Sequence, residues 1–241
     1  MKRIDFLKKA GISLLAIQAV ASCTKDSLEA ASTPDTGGTS SSGSTNTSCT
    51  STPAETEGPF PTKSPANFVI NDIRSDRTGV PLTINITIQN KNTGCAGLEG
   101  AMVDIWHCDK DGYYSEYGGT GMQASNFTSV HFLRGRQVTN ASGLAAFTSI
   151  FPGWYSGRAP HIHVHIYNAS GKSLLVTQIA FPTDICDNVY TKATNFYTRG
   201  TQDTSNARDN VFADSIATEM SVVTGSISEG YVLTHNIVVS A

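Results

Sequence analysis

Phe151-Pro-Gly-Trp-Tyr-Ser-Gly-Arg-Ala-Pro-His161-Ile-His-Val-His-Ile-Tyr167 is the stretch on which the reading of this chain turns. From His161 onward polar and apolar residues alternate at every step, the two-residue period of a half-buried strand, and Pro152-Gly153 marks a turn ahead of it. The same short, β-rich segments recur at Leu82–Gln89, Ala101–Cys108, Leu144–Ile150, Leu174–Phe181 and Tyr231–Val239. Between them stand the turn dipeptides Asp111-Gly112, Ser142-Gly143 and Ser170-Gly171, and Phe132–Thr139 reads as the first arm of a hairpin. A long helical spacing occurs only near Asn210–Val223, where Val211, Phe212, Ile216 and Met220 recur. The expected fold is all-β: a two-sheet β-sandwich with one short late helix.

At 241 residues and 39% hydrophobic content the chain can bury one sizeable core. A net charge of -3 with scattered Lys and Arg leaves no basic stripe for phosphates, so nucleic acid is excluded as a partner. The chain opens with Lys2, Arg3, Lys8 and Lys9, then an apolar run from Ala10 to Ala21, the pattern of a secretory signal and too short for a membrane span. Val20-Ala-Ser-Cys23 resembles the lipobox of bacterial lipoproteins, which implies an exported, membrane-anchored protein acylated at Cys23. Arg3–Lys8 also looks like a twin-arginine signal with Ile4 in place of the second arginine. Residues 23–52 are almost wholly small and polar and read as a disordered tether between the signal (1–22) and the folded domain (53–241). Cys49, Cys95, Cys108 and Cys186 then remain for an oxidising compartment. About eight extended residues at roughly 3.3 Å each disfavour Cys95 with Cys108, and buried free thiols are the other reading.

Residues two apart on a strand face the same side, which sets His161 and His163 together about 6.6 Å apart at the backbone, a spacing that lets two imidazoles share one metal. A lone His-x-His is also what a solvated strand face carries by chance. Tyr155 on the preceding turn and Arg158 add context. A phenol with an ordinary pKa near 10 ionises at neutral pH only under a strong Lewis acid, which suits iron(III) better than zinc. Ala101–Ser115, with Trp106, Tyr113 and Tyr114, reads by itself as a core strand and a turn bearing two surface tyrosines.

Together these segments resemble the intradiol ring-cleavage dioxygenase family, the group of catechol and protocatechuate dioxygenases. The resemblance runs from Thr56 to Val239 and includes Thr56-Glu-Gly-Pro-Phe60, Val103–Ser115, Phe132-Leu-Arg-Gly135 and Pro152–His163. It implies a non-haem Fe(III) enzyme that takes a catechol-type diol and dioxygen to a muconate-type dicarboxylic acid. The implied iron ligands are Tyr114, Tyr155, His161 and His163, with Tyr155 leaving when substrate binds. Tyr113 competes with Tyr114, which is preferred as the tyrosine eight residues after Trp106. Arg158 matches the arginine against the bound ring, and Gln178 a glutamine that orients the pocket. Tyr155 and Arg158 stand closer together than in many relatives, a difference that bears on the pocket wall. No helical region precedes the sandwich to make the dimer interface of catechol dioxygenases. Two other classes compete: a zinc hydrolase using His161, His163 and a third histidine such as His131, and a surface binding module with structural histidines. His165, farther along the strand, is read with His131 as a flanking or surface residue.

Overall fold

Ten residues from Pro81 to Asn90 form β1, where Leu82, Ile84, Ile86 and Ile88 alternate inward and are fully buried. Each contributes about 1.5–3 kcal/mol by leaving water. The strands after it are β2 (Ala96–Gly97), β3 (Met102–Trp106), β4 (Arg134–Val138), β5 (Leu144–Ile150), β6 (His161–Tyr167) and β7 (Ser173–Ala180). Helices α1 (Thr183–Lys192) and α2 (Ile216–Glu219) precede β8 (Val222–Ser226) and β9 (Gly230–Val239). This computed structural model describes residues 49–119 and 121–241. The signal segment, Cys23 and the tether up to residue 48 lie outside the described residues. Among the described residues no helix is long and apolar enough to cross a membrane.

The strands make two sheets, as the alternation predicts. One runs β2-β1-β9-β8 with β5 also on β1, and its β1–β9 pair is parallel; the other is the antiparallel β4-β3-β6-β7. Between them Ile84, Ile86, Phe147, Leu233 and Ile237 of the first meet Val103, Ile105, Ile162, Val164 and Ile179 of the second. The opposite face of β6 carries His161 and His163, yet both are buried, because loops close over it. Register sets Trp106 and Gln178 on either side of His163.

Two expectations shift. The helix expected over 210–223 shrinks to α2, since Ser221 N donates to the Ala180 carbonyl and the β-branched pair Val222-Val223 continues as β8. Among the described residues the longest helix is instead α1, which buries Cys186, Val189 and Tyr190 at helical spacing. The folded part also begins before residue 53. Thr52 N donates to the Val238 carbonyl, its Oγ1 accepts from Val238 N, and Cys49 is joined to Cys95 with α-carbons 5.7 Å apart. Closing 46 residues of sequence, that bridge stabilises by about 2–4 kcal/mol. Cys108 and Cys186 are buried free thiols.

Two histidines outside the loop-covered face, His107 and His235, are buried, and burial pushes both down to about 4. His107 donates from Nδ1 to the Cys108 carbonyl and accepts at Nε2 from Ser149 Oγ. The unfolded chain therefore takes up these protons first as pH falls from about 6.5 toward about 4, and stability declines over that window by up to about 1.4 kcal/mol per pH unit per group. Glu219, raised to about 7 by burial, acts in the opposite sense together with Glu55 and Asp109, which burial also raises, while burial lowers His161, His163 and His165 and so adds to the decline. The metal-free protein should thus lose urea resistance between pH 6.5 and 4.5. A flat or rising denaturation midpoint across that range would contradict this account.

Candidate metal centre

Four side chains converge over the outer face of β6. Tyr114 Oη lies 3.3 Å, Tyr155 Oη 3.4 Å and His163 Nε2 3.1 Å from His161 Nε2. His161 donates from Nδ1 to the Ala159 carbonyl at 2.6 Å, so its Nε2 carries a lone pair. Three groups crowd that one lone pair, an arrangement a shared cation resolves. Donors held about 2.0–2.1 Å from one metal ion, at right or tetrahedral angles, lie about 2.9–3.4 Å apart, and these spacings fall in that range.

Burial makes the set neutral without a cation. His161 is pushed down to about 3 by burial and then by Arg158, and His163 well below the usual imidazole range by burial and then by His161. Burial also raises Tyr114 far above an ordinary phenol, and it raises Tyr155 against the opposing charge of Arg158. Two neutral imidazoles and two phenols that would ionise only beside a strong positive charge fit a trivalent, oxygen-seeking ion such as iron(III). His163 is stacked on Trp106 with ring centroids 5.0 Å apart, and its Nδ1 has no hydrogen-bond partner among the described residues. Packing rather than a hydrogen bond orients that ring. Gly58, at φ +70°, lies against it, and a Cβ there would come 3.0 Å from His163 Cε1.

The turn Asp109–Gly112 brings Tyr114 inward. Asp109 Oδ1 accepts from the backbone of Asp111 and Tyr113, while Tyr114 N donates to Gln123. Tyr114 is fully buried; Tyr113 is half-buried and packs on Phe127. Arg158 points its Nη1 at Tyr155 Oη from 3.5 Å and donates from Nη2 to Gln178 Oε1 at 2.7 Å. Gln178 is fully buried and spends its amide on the Thr56 carbonyl. Asp209, absent from the reading of the sequence, holds the arginine. Its oxygens accept from Arg158 Nε at 2.8 and 3.0 Å and from the backbone of Ala159 and Val211. Nothing local to Asp209 signals a partner 51 residues away.

The other two histidines sit apart. His131 pairs with Glu116 at 2.9 Å and packs on Phe68, with about half of its side chain exposed. His165 meets Ser173, Tyr167 and Glu57. Among the described residues no group of three or more His, Cys, Asp or Glu converges, so a three-histidine zinc site finds no geometric support. Beside Tyr155 and Phe60 opens a pocket of about 480 Å³.

A family model described as Dioxygenase matches residues 57–215. The chain is 30% identical over 123 residues to catechol 1,2-dioxygenase 1 of Acinetobacter lwoffii, which covers 43% of this chain and 37% of that protein. It is 28% identical over 145 residues to a chlorocatechol 1,2-dioxygenase of Rhodococcus opacus, covering 52% of each. The chain thus spans between about a third and a half of these curated relatives. A solved intradiol ring-cleavage dioxygenase from Tetranychus urticae superposes with a TM-score of 0.71 at 28% identity, over 80% of this chain and 95% of that one. The match over most of the sandwich, with the two-sheet fold beneath it, shows that this chain belongs to the intradiol ring-cleavage dioxygenase family.

Proposed function

We propose that the chain holds one ferric ion between Tyr114, Tyr155, His161 and His163. With it the chain opens a catechol-type ring between the two hydroxyl-bearing carbons, adding dioxygen to give a muconate-type dicarboxylic acid. The observation that carries this reading is the convergence of two phenols and a second neutral imidazole on His161 Nε2, each 3.1–3.4 Å from it. The catechol dioxygenases among its relatives agree in substrate type. A bound ferric ion supplies the Lewis acidity that keeps both phenols ionised and withdraws charge from a chelated diol.

The chain's own groups do the rest. Tyr114 is sealed in the protein, whereas Tyr155 also lines the pocket, so the Tyr155 oxygen is the one placed to give way to a substrate and take up a diol proton. Arg158 faces that oxygen and stabilises negative charge building on a ring seated there. Gln178 touches Arg158 and positions it. With a simple catechol, ¹⁸O₂ labelling should place oxygen in both carboxyl groups of the product. A yellow semialdehyde, or a product formed with no oxygen uptake, would overturn the assignment. Arg158→Ala should lower kcat by about 10²–10³-fold while the bound iron and its colour persist.

We also propose export and a lipid anchor at Cys23. The lipobox and the polar linker support it, as does a Cys49–Cys95 bridge suited to an oxidising compartment. Wild type should fractionate with membranes and Cys23→Ala with the soluble fraction; equal release of both would count against the anchor.

A further inference from the structure

Residues 49–60 run as a strap over the four-donor cluster. One end is fixed by the Cys49–Cys95 bridge and by the pairing of Thr52 with Val238. The other end covers the site: the Thr56 carbonyl accepts from Gln178 Nε2 at 2.9 Å, Gly58 lies against His163, and the Phe60 ring packs 5.0 Å from that of Tyr114. Between the two, Glu55 N donates to the Val176 carbonyl at 2.8 Å. Because Gln178 also holds Arg158, a displacement of Thr56 reaches the arginine.

The Glu55 side chain ties this strap to α2 through another acid. It meets the carboxyl of Glu219 within hydrogen-bonding reach. Glu219 is fully buried, and although its Oε2 accepts from Ser215 Oγ at 2.8 Å, its Oε1 has no donor among the described residues. Two carboxylates set face to face in such a place repel, and a buried oxygen without a donor is costly. A single proton between them removes both penalties. Burial raises Glu219 to about 7, whereas Glu55, raised by burial and then by Asp214, is lowered by its bond to Glu219. The proton therefore rests on Glu219 and points to Glu55.

The surrounding charges leave this contact in control. Asp214 faces both acids, while Arg158 and Asp209 face Glu55 with opposite signs and are bonded to each other. From β9, His235 bonds the Met220 backbone, and burial pushes it down to about 4. His165, which meets Glu57 of the strap at 3.3 Å, is held below the usual imidazole range by burial. Both histidines are already neutral where the acid pair gives up its proton. We propose that Glu55 and Glu219 share one proton as a clasp that shuts the strap over the metal centre, and that loss of this proton frees Thr56 and Gly58 from Gln178 and His163. A carboxyl raised by folding contributes stability that is fully present below about 4.5 and is lost as pH rises through about 7. The clasp is closed in mildly acidic solution and open in alkaline solution.

The test is amide hydrogen exchange of residues 53–60 in the full chain at about pH 6 and about pH 8.5, corrected for the intrinsic rate at each. With the Glu219 carboxyl at about 4.5 when the strap is open and about 7 when it is closed, opening should become about tenfold more favourable across that interval. The β5 amides should show no such change. Glu55→Gln should reduce the response to within about twofold, because its amide donates to Glu219 at either pH, and Glu55→Ala should leave the strap open at both. Equal protection of the wild-type strap at the two pH values overturns the proposal, as does a tenfold response that survives in Glu55→Gln. Recovery of wild-type protection at the higher pH on adding calcium would assign the pair to a cation and overturn the shared proton.

Discussion

His161→Ala and His163→Ala should each strip iron from the protein, lowering affinity by well over 100-fold, since losing even a supporting hydrogen bond to a ligand costs about 10–100-fold. The expectation rests on the geometry around one atom. His161 Nε2 is the point from which the other three donors are measured, at 3.1 to 3.4 Å, and its lone pair is fixed by the Nδ1 bond to Ala159. His163 is the neighbour whose place depends on packing between Trp106 and Gly58. Metal analysis should give about one iron per chain in wild type and far less in either variant, with loss of the red colour that tyrosinate-to-iron charge transfer produces. Tyr114→Phe should change that colour and Tyr113→Phe should keep it, because only Tyr114 reaches the cluster. Stoichiometric iron with an unaltered spectrum in His161→Ala would sink the assignment, as would stoichiometric zinc in a colourless wild type.

Asp209→Ala should destabilise the fold by about 3–5 kcal/mol, because it leaves the Arg158 charge in a largely buried place with its partner removed. Asp209 is fully buried, and only 11% of the Arg158 side chain is exposed. The carboxylate also satisfies the backbone N–H groups of Ala159 and Val211, so its loss unties the turn before β6 from the segment entering α2. Against a total stability of about 5–15 kcal/mol the change is large. Urea unfolding should register it, and Asp209→Asn, which keeps acceptors but not charge, should cost less. In a double-mutant cycle, Arg158→Ala should recover part of the loss, since it removes the stranded charge. Additive single effects would mean that the pair is not coupled.

The parts legible in sequence are those governed by local period. Both β5 and β6 begin and end where alternation predicts, because each sets one face on a core and needs no distant information. The strand expected at Phe132–Thr139 contains β4, but the hairpin expected there does not form: β4 pairs with β3 in one sheet and β5 with β1 in the other, so the turn at Ser142-Gly143 carries the chain between sheets. The shrunken helix shows the opposite case. Val211, Phe212, Ile216 and Met220 keep helical spacing, yet the Ala180 carbonyl captures the chain at Ser221, a tertiary contact that spacing does not encode. Asp209 is hidden for the same reason, since the arginine it holds is 51 residues away. Tyr114 could be told from Tyr113 by spacing within the resemblance, and the turn at Asp109 supplies the physical cause.

The pairing of β6 against Trp106 on one side and Gln178 on the other also bears on how the protein assembles. Slipping β6 by a single residue would exchange its faces, driving two imidazoles into the hydrocarbon interior and turning Ile162 and Val164 out beneath the loops. A misaligned chain would therefore present no partial version of the four-donor cage. Metal uptake during refolding would then count correctly threaded molecules one by one, and the growth of colour with time would follow completion of this strand rather than early collapse.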